Sequence, residues 1–306
     1  MRESILSFGF DVLIHYLLSP ARRPFLASYK LTYRCNLRCQ QCPFPDLSAP
    51  SPTFDEVCQV LDQLARRGDR LVIFEGGEPF LWVDESSGRH GQKHGFQDIV
   101  EYARKRFVCV GVTTNGTLPL DVPTDILWVS IDGFAETHNR LRQAGSRDLF
   151  HQVIENIRNS THPRLFAHIT ANAQNYTEIP ELVRFLTPLV KGITLQFYYP
   201  YGADDHLFLT WEGRRALLDA LVSLKRRGYP ILNSTASLRA MRENRWRCMP
   251  WLIDCVNPDG QITQGCYLQG RATVDCRKCG FSPYTELSLA FQGNPLSVLA
   301  GLKIFL

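Results

Sequence analysis

Three cysteines, Cys35, Cys39 and Cys42, fall within eight residues in the stretch Tyr33-Arg-Cys-Asn-Leu-Arg-Cys-Gln-Gln-Cys42, giving the spacing CxxxCxxC. A loop of that spacing can wrap three thiolates around one face of a small iron-sulfur cube and leave one iron open. An electron-transfer cluster ordinarily takes four cysteines. An open iron therefore marks a position where something else coordinates, as the vacant position marks a catalytic zinc site. Zinc is the competing metal for thiols this close together. A second set lies near the other end of the chain: Cys248, Cys255, Cys266, Cys276 and Cys279, with the turn Asn257-Pro-Asp-Gly260 among them. Four thiolates from this set would make a closed site, with no vacant corner, for iron-sulfur or for structural zinc. Cys58 and Cys109 fall within apolar patterns and are expected to be buried and inert.

Elements that could position the first triplet follow from the hydrophobic pattern. Six short apolar runs, Leu26 to Thr32, Leu71 to Phe74, Val108 to Thr113, Ile126 to Ile131, Leu165 to Thr170 and Ile193 to Phe197, alternate with amphipathic stretches. That alternation predicts an α/β fold, a partial (β/α)6 barrel of TIM type, with chemistry at the carboxyl ends of the strands. The clearest helix start is Thr53, whose hydroxyl and Glu56 three residues on make a capping box ahead of Val57, Leu61 and Leu64. Further helices are expected over Phe96 to Arg106, Leu149 to Arg158, Ile179 to Leu186 and Glu212 to Arg227. The expected organisation is an apolar N-terminal helix (1–24), the barrel (25–230), a small Cys-rich extension (231–286) and an apolar C-terminal segment (287–306). The extension has too few apolar runs for a core of its own and needs a metal to hold it.

Each strand end carries its own polar motif. The first leads into the cysteine triplet, the second ends in Phe74-Glu-Gly-Gly-Glu-Pro79, the third in Thr113-Thr-Asn-Gly-Thr117 and the fourth in Val129-Ser-Ile-Asp-Gly133. Arg142 follows Asp132 by ten residues, and Asn175 follows the fifth strand. From Phe25 to Phe197 this succession resembles the radical S-adenosylmethionine (SAM) superfamily. The resemblance implies a 4Fe-4S cluster on Cys35, Cys39 and Cys42 whose open iron binds SAM. It further implies SAM contacts from Gly76, Gly77, Glu78, Pro79, Asn115, Ser130, Asp132, Arg142 and Asn175, with Arg142 offering its donor fork to a carboxylate. One departure is Gln41, where many members carry an aromatic residue against the adenine. The second cysteine set resembles the shortened auxiliary-cluster domain of SPASM or twitch type. In that resemblance Cys248, Cys266, Cys276 and Cys279 hold a second 4Fe-4S cluster, with Cys255 as the alternative to Cys248. Five residues separate Gly260 from Cys266, where four are usual in that family. The activity implied is reductive cleavage of SAM to a 5′-deoxyadenosyl radical that abstracts hydrogen from a substrate carbon, with flavodoxin or ferredoxin as electron donor.

A hydrophobic fraction of 44% and a charged fraction of 21% are those of a globular protein, so disorder is excluded as a starting point. The net charge of +4 is spread in short pairs such as Arg66-Arg67, without the footprint of a nucleic-acid binder. Clustered cysteines without a cleavable leader suggest a reducing cytoplasmic setting. The histidines, including His90, His94 and His168, read as surface or internally satisfied residues. Ile5 to Leu18, and Leu296 to Leu306 with only Lys303 charged, are apolar. They suggest peripheral membrane contact and a hydrophobic substrate such as a lipid or isoprenoid, against the alternative that both ends close the barrel. A peptide-modifying maturase is the second reading, with only 34 residues ahead of Cys35 counting against it. A non-catalytic iron-sulfur or zinc scaffold is the third.

Overall fold

The computed structural model describes residues 22–306 apart from 45–46, 48, 86–92, 144 and 203–204. The N-terminal apolar stretch and His90 lie outside the described residues. In chain order the elements are β1 (Leu26–Thr32), α1 (Phe54–Arg67), β2 (Leu71–Gly76), a short ribbon of β3 (Val83–Asp84) and β4 (His94–Gly95), α2 (Phe96–Ala103), β5 (Cys109–Thr114) and β6 (Ile126–Ser130). There follow α3 (Ala135–Leu141), α4 (Leu149–Asn159), β7 (Leu165–Ala171), α5 (Ile179–Leu186), β8 (Gly192–Phe197), α6 (Trp211–Arg226) and α7 (Thr235–Glu243). The chain closes with β9 (Ile253–Val256), β10 (Ile262–Gln264), α8 (Ser282–Phe291) and α9 (Pro295–Phe305).

Alternation along each strand builds two environments, because successive side chains point to opposite faces. Ala27, Tyr29 and Leu31 of β1, Val72 and Phe74 of β2, and Leu127 and Val129 of β6 join the buried layer beneath the helices. The intervening residues face the barrel lumen, and there Ser28, Glu75, Thr113, Ser130, His168, Thr170, Thr194 and Gln196 line one cavity. Gly111 makes room in that lumen, since a Cβ there would meet Ile73 Cδ1 and Trp128 Cζ3, each at 2.8 Å. The helical layer is anchored by α1, where the Thr53/Glu56 capping box forms as the sequence predicts and Gly68, at φ 116°, ends the helix in the left-handed region. Val57, Leu61 and Leu64 are fully buried on its inner face, and truncating such a leucine to alanine costs about 3 kcal/mol.

The sheet has eight strands in the order β10-β9-β1-β2-β5-β6-β7-β8, where the pattern of apolar runs predicts six. The six expected strands all pair in parallel. The two additional strands come from the Cys-bearing region: β9 pairs in parallel with β1, and β10 returns antiparallel on β9 through the Asn257-Gly260 turn. The extension therefore shares the barrel's sheet. It gave no strand signal because β9 and β10 are four and three residues long and carry Asp254, Thr263 and Gln264. The C-terminal stretch forms α8 and α9, which close the lower end of the lumen through Phe25–Phe291 and Trp128–Phe305 ring contacts at 5.2 and 6.3 Å. Leu296, Val298, Leu299 and Leu302 stay exposed on α9, as does Leu306 just beyond it. Among the described residues no helix is long and apolar enough to cross a membrane.

Candidate functional site

The loop after β1 carries Cys35, Cys39 and Cys42, and all three sulfurs are free thiols lining the mouth of a cavity of about 820 Å³. The loop is held from two sides. Gly77 donates its N–H to Thr32 O at 2.6 Å, Glu78 donates to Arg34 O at 2.8 Å, and Gln40 donates to Leu141 O at 2.8 Å. Only glycine fits at residue 77, because a Cβ there would lie 2.2 Å from the Arg34 carbonyl oxygen, and Gly76 occupies φ 130°. The two glycines thus form a backbone cradle in which the cysteine loop lies directly against the end of β2.

Glu78 is fully buried, and its carboxylate is occupied by protein donors: Thr114 Oγ1 at 2.8 Å, Asn115 N at 2.8 Å and Phe80 N at 3.2 Å. Burial pushes its pKa up to about 7 against those hydrogen bonds. Glu78 therefore ties the end of β2 to the turn after β5, while Pro79 opens a single 3-10 turn, Pro79–Leu81. Asn115 in that turn donates to Asn36 Oδ1 at 2.8 Å and lies 3.8 Å from Cys35 Sγ.

The opposite side of the mouth is organised by Asp132. Its Oδ2 accepts from Arg142 Nε at 3.0 Å, Arg142 Nη2 at 2.7 Å and Gln41 Nε2 at 2.6 Å, and its Oδ1 accepts from Thr170 N at 3.0 Å. Asn175 donates to the Asp132 carbonyl at 2.8 Å and to Thr170 O at 3.0 Å, so its role in this geometry is to brace that strand end. Ser130 is half-buried on the cavity wall. Burial pushes all three thiols up, Cys42 to about 12, and the Arg142 guanidinium pulls each back. A bound cation must therefore displace protons that burial otherwise retains.

Cys248, Cys266, Cys276 and Cys279 collect at a second place, beyond β10. The Cys248 thiol, pushed up to about 12 chiefly by burial, also feels Cys279, Cys266 and Cys276. Cys255 is buried in β9 within an apolar cluster, 3.4 Å from Tyr284 Oη, and its thiol also reaches Arg271 and acts on Cys266. The segment bearing Cys276 and Cys279 is pinned by residues the sequence reading did not single out. Asn244 donates to Cys279 O at 2.6 Å, Arg214 Nη1 donates to the same oxygen at 2.9 Å, and Tyr199 donates to Thr273 O at 2.6 Å while accepting from Asp275 N at 2.9 Å. Arg214 is 1% exposed and stacks on Phe197 and Trp211. Asn244 ends α7 at a left-handed φ of 47°, and its one sequence signal is an asparagine after a helical stretch, while Arg214 looks like an ordinary surface cation of an amphipathic helix. Cys58 and Cys109 are buried as expected, and His94 stacks on Phe54 at 4.1 Å.

Among the described residues no three His, Cys, Asp or Glu side chains are drawn to metal-ligating spacing. The thiol triplet and quartet are each gathered but not closed. The fit to a cluster and a sulfonium cofactor rests on other features. Gln41 Oε1 is buried without a hydrogen-bond partner beside the triplet, Gly76 and Gly77 line the same cavity, and three free thiols face it. The donor set is thiolate-rich, which suits iron-sulfur.

The chain belongs to the radical SAM superfamily, whose family description matches residues 29–186, more than half of its length. It is 27% identical over 219 residues to mycofactocin maturase MftC of Mycolicibacterium smegmatis, covering 65% of this chain and 52% of that protein. It is 26% identical over 171 residues to Fe-coproporphyrin III synthase of Methanosarcina barkeri, covering 52% of this chain and 40% of that protein. The chain thus spans about half the length of these curated relatives. Its fold matches that of Streptococcus suis SuiB solved with S-adenosylmethionine, with TM-score 0.64 at 14% identity over 92% of this chain and 68% of that one. It also matches anSMEcpe with bound AdoMet and a peptide, with TM-score 0.58 at 16% identity over 82% and 77% of the two chains. Both likenesses support the partial-barrel fold. The family's cofactors are a 4Fe-4S cluster and SAM.

Proposed function

We propose that the protein is a radical SAM enzyme in which Cys35, Cys39 and Cys42 hold the catalytic cluster. Cys248, Cys266, Cys276 and Cys279 then hold an auxiliary 4Fe-4S cluster. When bound, the first cluster and SAM supply a 5′-deoxyadenosyl radical that removes a hydrogen atom from a substrate carbon. The observation that carries this reading is the convergence at one cavity mouth of three free thiols, the Gly76-Gly77 cradle and the Arg142–Asp132 pair.

In this reading the chain binds, orients and excludes water. Gly76 and Gly77 let the cysteine loop lie against the end of β2 and line the cavity where the family places the polar end of SAM. Arg142 presents a guanidinium whose orientation is fixed by Asp132, and Gln41 Oε1 offers an acceptor where other members have an aromatic face. Glu78, Asn115 and Asn175 hold these groups in place through the contacts above. Cys248 is favoured over Cys255 because its thiol senses all three others of the quartet, whereas Cys255 acts on Cys266 alone among them and is buried beside Tyr284. Four thiolates leave no vacant iron, so the auxiliary site relays electrons or braces the fold. An external flavodoxin or ferredoxin supplies the electron, and free thiols favour a reducing compartment.

For the substrate, the expectation of a lipid or isoprenoid finds no support among the relatives. A maturase role is favoured by the similarity to MftC over most of this chain and by fold relatives solved with peptides. The intact glycine cradle and Ser130–Asp132 segment favour an enzyme over a scaffold. Anaerobic reconstitution with iron and sulfide, then dithionite and SAM, is expected to yield 5′-deoxyadenosine. Reconstituted, folded protein that holds iron yet forms none overturns the proposal.

A further inference from the structure

Below the cysteine loop the lumen carries a polar layer that neither cluster nor SAM contacts explain. Lys30, fully buried on β1, donates to Glu75 Oε1 at 2.9 Å and to Ser28 Oγ at 3.0 Å, and lies 4.3 Å above the Tyr267 ring. Ser28 also donates to Glu75 Oε1. Every described contact to this carboxylate therefore falls on one oxygen. The Glu75 side chain keeps 32% of its surface accessible although it is enclosed by the protein, so that surface faces the cavity. Lys30 and Ser28 hold the group ionised despite the burial that opposes it.

His168 lines the same lumen from β7. Its Nδ1 lies 2.9 Å from Thr194 Oγ1, and that hydroxyl donates to Ala167 O at 3.3 Å. With its proton directed to the carbonyl, the Thr194 oxygen accepts, which assigns the hydrogen to His168 Nδ1 and leaves a lone pair on Nε2. Burial lowers the imidazole pKa to about 4, so it is neutral near pH 7. Among the described residues, Lys30 is engaged as above and Arg142 by Asp132, while Arg271 is held by Asn257 and the Tyr267 ring and adds only a through-space pull on Glu75. Beside this layer stand aromatic walls, with Tyr199 stacked on Phe281 at 6.0 Å and Tyr267 against Phe281 at 5.3 Å.

We propose that Glu75 Oε2 and His168 Nε2 form the substrate-recognition layer of the lumen, selecting a molecule that presents a primary amine or comparable N–H donor attached to a flat, apolar body. The carboxylate takes the charged donor, the imidazole takes a second hydrogen, and the rings take the body. This inference rests on the enzyme reading above only in placing the substrate within reach of the cluster.

The test uses three near-isosteric probes, phenethylamine, 2-phenylethanol and phenylacetate, titrated calorimetrically under anaerobic conditions into the reconstituted protein with SAM. The amine is expected to bind about tenfold more tightly than the alcohol, the worth of one charge-assisted hydrogen bond, and more tightly still than the acid. Glu75→Gln is expected to abolish the preference. Because that change strands Lys30, the paired variant K30M/E75Q provides a neutral, similarly shaped control with the same expected loss. Equal binding of amine and alcohol, no measurable amine binding at millimolar concentration, or a preference retained in folded K30M/E75Q overturns the proposal. Wild-type protein that forms 5′-deoxyadenosine but shows no amine preference sinks this inference alone. Wild-type protein that shows the preference but forms no 5′-deoxyadenosine supports the site and sinks the enzyme reading.

Discussion

Arg142 closes both Nε and Nη2 on a single oxygen of Asp132, at 3.0 and 2.7 Å, with the pair buried beneath the cysteine loop. The other carboxylate oxygen is bound by Thr170 N. Removing one partner of a buried ion pair costs about 3 kcal/mol or more, because the remaining charge is stranded. Asp132→Asn is therefore expected to lower the urea midpoint and, in protein that still folds, to weaken SAM binding measured by anaerobic calorimetry. Unchanged SAM affinity would show that Arg142 does not depend on Asp132 for its orientation.

The two thiol groups should behave as separable metal sites. Replacing Cys35, Cys39 and Cys42 with alanine is expected to halve the iron content and abolish 5′-deoxyadenosine formation, if both sites take the same cluster. Cys248→Ala should deplete the auxiliary site, whereas Cys255→Ala should leave iron content intact and cost only packing beside Tyr284. The measurement is iron per chain with the electron paramagnetic resonance of the reduced protein. Iron that persists in Cys248→Ala and falls in Cys255→Ala would reverse the assignment of the fourth ligand.

Arg214 is buried, with its described hydrogen bond going to a carbonyl oxygen, and burial lowers its pKa to about 10. A guanidinium in that position is stabilised by an anionic neighbour, which four thiolates around a metal supply. Arg214→Met is expected to lower the reduction potential of the auxiliary cluster by tens of millivolts, since the reduced, more negative form loses a nearby positive charge. The metal-free protein should lose little stability or gain some, because the substitution removes an uncompensated buried charge. A potential unchanged in redox titration would place the cluster out of reach of this residue.

Away from the site, Asp69 is 2% exposed and lies beside Asp254, which Arg67 binds at 2.5 Å. Burial, reinforced by the Asp254 charge, raises the Asp69 pKa from 3.8 to about 9. The folded state therefore holds a proton that the unfolded chain releases. This contribution is fully present below pH 3.8 and is lost progressively as pH rises toward about 9. The slope from this one group is at most about 1.4 kcal/mol per pH unit. Asp69→Asn should flatten that dependence and raise the urea midpoint at pH 8, checked by unfolding at several pH values. A variant as pH-sensitive as the wild type would assign the proton elsewhere.

Much of the site was readable without the structure because its signals are local. The CxxxCxxC spacing, the two adjacent glycines and the capping box at Thr53 depend on neighbours a few residues away, and the period of apolar residues fixed the six parallel strands. Strand alternation also marks Ser28 and Lys30 as facing away from Ala27, Tyr29 and Leu31. What that opposite face meets is a different matter, set by pairing Lys30 with Glu75, 45 positions further along the chain. The same holds for β9 lying on β1, for Arg214 reaching Cys279 and for Cys255 lying against Tyr284. Spacing along a chain determines which groups can act together over one turn or one strand. Only packing decides which distant groups are buried together, and burial sets whether a lysine, a histidine or a thiol is charged, neutral or committed to a partner.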